Sequence, residues 1–87
     1  MAAREKLERF YGERRKVYAA ISLGPDNWMF GACEDTQGRY YAVMIHESIV
    51  RGRDVGGGLL EEEYPTLEEA LITANRWYRK EAGRDLG

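Results

Sequence analysis

At 87 residues, with 44% hydrophobic and 32% charged side chains, the chain has the size of one small domain and a globular composition, which excludes disordered, collagen-like and coiled-coil classes. Its net charge of −2 and isoelectric point near 5.4 supply no overall positive field for nucleic acid. One cysteine, Cys33, and one histidine, His46, exclude an internal disulfide and a Cys/His zinc site.

No apolar run approaches the roughly 20 residues that cross a bilayer, and "MAAREKLERF" carries charge where a signal peptide would be apolar. The expectation is a single domain over residues 1–87, cytoplasmic and not bound to membrane. Charge is unevenly spread. Arg4, Lys6, Arg9, Arg14, Arg15 and Lys16 outnumber Glu5, Glu8 and Glu13 at the start, whereas Glu61, Glu62, Glu63, Glu68 and Glu69 stand unopposed later.

In chain order, Leu7, Phe10 and Tyr11 recur at helical spacing, and Gly12 stands at a left-handed cap position, so a short helix is predicted from Ala2 to Tyr11. The stretch from Lys16 to Val50 reads as an antiparallel meander of three strands, with turns at Gly24–Asn27 and Asp35–Gly38. Pro25 and Asp26 at the first turn place Leu23 opposite Trp28 and Ile21 opposite Phe30. A four-residue loop at Asp35–Gly38 places Phe30 opposite Val43 and Trp28 opposite Ile45.

Alternation then gives one core face containing Val17, Ala19, Ile21, Phe30, Val43, Ile45 and Ile49. The other face holds Tyr18, Ala20, Met29, Gly31, Cys33, Tyr40, Met44 and His46, a set poor in charge and therefore expected to be covered. Two covers are open: the N-terminal helix, or a second copy of the chain. Tyr18, Met29, Tyr40 and Met44 are the candidate interface residues.

"RGRDVGGGLL" lacks the lysine and following helix of a phosphate-binding loop and runs into three glutamates, so it reads as a flexible tip between strands. "LLEEEY" is a fourth short strand ended by Pro65. "TLEE" is a capping box, with Thr66 and Glu69 reciprocally bonded, opening a helix from Leu67 to Ala82 that Gly83 stops and that packs on the core face. The fold class is thus α+β: a meander sheet of three to four strands, a long C-terminal helix on one face and a short N-terminal helix.

A meander followed by "YPTLEEALITA", Tyr64 to Ala74, resembles the way HicB-like antitoxin domains and other small bacterial modules end. The Pro-Asp-Leu-Pro-Gly-Cys type segment that precedes the helix in that family is missing, so the resemblance implies a fold and a bacterial-type module and transfers no site residue. The helix, strands, helix order is also superficially similar to a double-stranded RNA-binding domain. That family opens its last helix on a basic cluster, where this chain has Thr66-Leu67-Glu68-Glu69.

No spacing of Ser, His, Cys or carboxylates builds a catalytic constellation. A Cys33–His46 pair is conceivable on one sheet face, yet His46 falls beyond the end of the second strand. The residues therefore point to a non-catalytic binding or regulatory module, without cofactor or metal, acting through protein contact and as a homodimer. The alternative is a nucleic-acid binder using Arg14, Arg15, Lys16, Arg39, Arg51 and Arg53, with tyrosines for stacking.

Overall fold

In the computed structural model, which describes residues 2–52 and 57–86, the element order is helix α1 (Ala3–Tyr11), a 3₁₀ turn, strands β1 (Arg15–Ser22), β2 (Trp28–Asp35) and β3 (Tyr40–His46), helix α2 (Glu47–Val50), strand β4 (Leu59–Tyr64) and helix α3 (Leu67–Leu86). The sheet is an antiparallel meander of order β1-β2-β3-β4. Helix α1 covers one face and α3 the other, so the architecture is α+β in three layers.

The first turn has the expected register, Ile21 opposite Phe30, with the Leu23 amide donating to the Trp28 carbonyl at 3.1 Å. Two irregularities then redistribute the apolar residues. A bulge at Tyr18 shifts the pairing between Val17 and Ala19 and turns Val17 to the opposite face from Ala19. At the second turn, Gly38 adopts φ +80° and the Asp35 amide bonds the Arg39 carbonyl at 2.9 Å. The loop is therefore three residues long, Thr36 to Gly38, and not four, the left-handed glycine completing it.

That one-residue difference flips β3. Phe30 lies opposite Met44 and Trp28 opposite His46, correcting the expected partners Val43 and Ile45. The face under α3 holds Ala19, Ile21, Phe30, Ala32, Ala42 and Met44. The face under α1 holds Val17, Met29, Cys33, Tyr41, Val43 and Ile45, joined by Leu7 and Tyr11 of the helix. The apolar set expected on one core face is thus divided between two layers.

The close approach of α1 depends on Gly31. A Cβ there would stand 2.8 Å from both the Ala19 carbonyl oxygen and Leu7 Cδ1. Gly12, at φ +61°, ends α1, and its amide bonds the Glu8 carbonyl.

Two helices differ from expectation. The third strand stops at His46, whose Nδ1 accepts from the Ser48 amide at 3.2 Å, and Glu47–Val50 forms a single helical turn where strand was expected. Helix α3 continues through Gly83 to Leu86, because Gly83 keeps a negative φ and provides no left-handed stop. At its start Thr66 Oγ1 accepts from the Glu69 amide at 3.2 Å. The Glu69 carboxylate accepts from the Thr66 hydroxyl at 3.2 Å, half of the predicted capping box.

Asp35 locks the β2–β3 hairpin. Its carboxylate accepts from the amides of Gln37 (2.8 Å) and Arg39 (3.0 Å), from Arg39 Nε (2.9 Å) and from the Tyr41 hydroxyl (3.0 Å). Partial burial alone would raise the pKa of this group, but those donors outweigh it and bring it down from 3.8 to about 2. Because the folded value lies below the unfolded one, the stabilisation is complete above 3.8 and disappears as pH falls through about 2. Urea midpoints should accordingly drop over that window, and less so in Asp35→Asn; parallel profiles for the two proteins would contradict this.

Candidate interaction surface

Helix α3 lies over β2, β3 and β4, with Tyr78 meeting Phe30 edge-on at 5.8 Å between ring centroids. It leaves the outer strand β1 uncovered on that face. A trough of about 170 Å³ runs between strand and helix, floored by Ala19, Ile21, Phe30 and Ala32 and walled by Leu71, Ala74 and Asn75. Ile21 at its rim is 45% exposed, and no charged side chain lines it. The opposite edge strand differs: β4 also exposes Leu59 and Leu60, but Glu61, Glu62 and Glu63 follow them directly.

On the α1 face, Arg15 reaches across β2 and β3 to Glu61, bonding both carboxylate oxygens at 2.9 and 3.1 Å. Its guanidinium lies between the rings of Tyr11 and Tyr41, 4.7 and 4.1 Å from their centroids. The Tyr11 hydroxyl donates to the same Glu61 at 2.5 Å, and burial followed by that bond pushes the Tyr11 phenol up. The rings of Tyr11 and Tyr41 flank the ion pair, and the arrangement fastens α1 to the far side of the sheet.

A second charged cluster sits beneath α2. Glu47, 1% exposed, accepts from Lys6 Nζ at 3.0 Å and from Arg51 at 2.7 Å. The Lys6 bond, with help from Arg51 and against the cost of burial, holds its carboxyl below the usual range. Arg51 also bonds Asp26 at 2.9 Å, tying α2 to the β1–β2 turn. A hollow of about 280 Å³ lies beside this cluster, between Lys6, Arg9, Val50 and Arg51.

The candidate basic residues do not form one patch. Arg14 donates to the carbonyls of Phe10 and Tyr11 at the end of α1, Arg15 is committed to Glu61, and Arg39 pairs with Asp35 at 2.9 Å. Lys16 is exposed, its ammonium 4.8 Å from the Tyr18 ring centroid. Arg51 stands at the other end of the sheet beside Asp26, and Arg53 lies outside the described residues, as does most of the glycine-rich tip.

Comparison of the chain with family models, curated proteins and solved structures finds no match. Of the candidate interface residues, Met29 is fully buried beneath α1, while Tyr18, Tyr40 and Met44 are half-buried on the α3 side, so the four do not share a face. Cys33 and His46 lie far apart along the sheet, as expected, but on opposite faces, which corrects their placement on one face. Among the described residues no group of His, Cys, Asp and Glu could hold a metal ion.

Cys33 packs against α1, 2% exposed, with burial pushing its thiol up against a lowering contribution from Arg15. A thiol so placed reacts only when the fold opens. Ellman's reagent should leave native protein unmodified over hours and label it at once in denaturant; immediate native labelling would show that α1 does not shield this face.

Sequence reasoning missed the Arg15–Glu61 pair and the α3 flank of β1. The first joins residues 46 apart in sequence, and nothing in either local pattern marks it. The flank depends on where the helix axis falls. Alternation puts Cys33 and Tyr41 on one face once the three-residue loop is recognised, and Arg15 joins them only through the Tyr18 bulge.

Proposed function

We propose that this chain is a non-catalytic binding module that works through protein–protein contact and does so as a homodimer. The observation that carries the reading is the open flank of β1, an uncharged apolar trough with Ile21 at its rim, in a domain whose other apolar surface is largely under its helices. Exposed apolar surface at a sheet edge is costly in water and favours a covering partner. The bacterial HicB-like resemblance of the Tyr64–Ala74 segment fits a regulatory module of this size.

Light scattering over a range of concentrations tests self-association. A mass twice that of the 10.0 kDa chain is expected. A strict monomer up to about millimolar concentration, where only interactions weaker than about 4 kcal/mol go undetected, would remove the homodimer. Nucleic-acid binding through Arg14, Arg15, Lys16, Arg39 and Arg51 draws less support, because each of these arginines already has a carboxylate or carbonyl partner.

A further inference from the structure

We infer that two copies pair through their β1 strands, antiparallel about a twofold axis at Ile21, joining the two four-stranded sheets into one continuous sheet. The inference rests on the homodimer proposed above and specifies how it forms. Three observations lead to it.

The first is the direction of the backbone. The Leu23 amide points inward to Trp28 of β2, and in an antiparallel ladder the inward and outward residues alternate. Leu23, Ile21 and Ala19 therefore bond β2, while the amides and carbonyls of Ser22 and Ala20 point away from the sheet at its edge. An added strand is the structure that satisfies such a row.

The second is the contrast between the two edges. Strand β4 carries Glu61, Glu62 and Glu63, and pairing it with its own copy would set carboxylates against each other. Between Ala19 and Leu23, β1 has no charge, and its Tyr18 bulge lies outside that span. Only the β1 edge is chemically open to its own copy.

The third is the complementarity that antiparallel pairing produces. With Ala20 of one copy opposite Ser22 of the other, the two Ile21 side chains become direct cross-strand neighbours at a position without hydrogen bonds, where Cα atoms approach to about 4.5 Å. Each thus covers the other's 45% exposed surface beside the troughs. The same pairing carries the basic end of one β1, Lys16, toward the acidic turn residue Asp26 of the other.

Crosslinking and exchange test this. Ile21→Cys should form a disulfide-linked dimer on mild oxidation, because that Cα separation lies within disulfide range. Ile72→Cys, equally exposed but on the outer side of α3, should not, and Cys33 is too buried to compete. Ile21→Lys should weaken the dimer about tenfold or more, and the Ala20 and Ser22 amides should exchange more slowly as wild-type concentration rises. If the wild type dimerises while Ile21→Lys dimerises as tightly and those amides ignore concentration, strand pairing is overturned and the homodimer survives. If the wild type is a monomer at every concentration, both fail.

Discussion

Leu7→Ala should reduce the free energy of unfolding by about 2–5 kcal/mol, the usual cost of truncating a fully buried leucine. Leu7 is 1% exposed and is the residue by which α1 reaches the middle of the sheet, touching the position of Gly31 and joining Val17, Met29, Cys33, Val43 and Ile45. Helix α1 has nine residues, too few for stability without packing. The Arg15–Glu61 pair would still hold its C-terminal end through Tyr11, so the loss should loosen the helix from its N-terminal side. Urea denaturation gives the magnitude, and the rate of Cys33 labelling reports whether the face has opened. A loss below about 1 kcal/mol, with Cys33 still protected, would mean that α1 docks by other residues.

Gly31→Ala should cost about 1–3 kcal/mol, the range for an extra methyl group in a filled interior. The sign is the informative part. In an ordinary strand, alanine is favoured over glycine by about 0.5–1 kcal/mol because glycine loses more chain entropy on folding. Here the new methyl would meet the Ala19 carbonyl oxygen and Leu7 Cδ1, each at 2.8 Å, and the first of these is backbone that cannot swing aside. In the Leu7→Ala background one obstacle is gone and the other remains. The two substitutions should therefore be less damaging together than their separate effects add up to. A stabilised Gly31→Ala protein would show that sheet and helix stand further apart than described.

Much of the architecture was legible in the sequence, and the reasons it was legible are local. Leu7, Phe10, Tyr11 and Gly12 specify a short capped helix; Gly24 to Asn27 specify the turn that pairs Leu23 with Trp28; Thr66 and Glu69 start the last helix within a residue of its observed position. Errors arose where one residue of geometry has consequences at a distance. Whether Asp35 closes a three- or four-residue loop depends on the φ of Gly38, and that choice decides which side of the sheet receives Val43 and Ile45. The Tyr18 bulge acts likewise on Val17.

The candidate site was less legible. The ion pairs on the α1 side, Arg15 with Glu61 and Glu47 with Lys6, join residues more than 40 positions apart in sequence. In sequence their types read only as surface charge. The composition of β1 did carry a signal, a stretch of alanine, isoleucine and serine without charge. Its meaning depends on β1 being an outer strand and on α3 lying away from it.

Strand β2 is buried from Met29 through Cys33, and alternate residues face different helices: Phe30 and Ala32 look to α3, Met29, Gly31 and Cys33 to α1. It is a party wall between two thin interiors, one closed by α1 and the other by α3. A defect on one side withdraws support from the other, so a domain of this size with two separate linings should melt as a single unit.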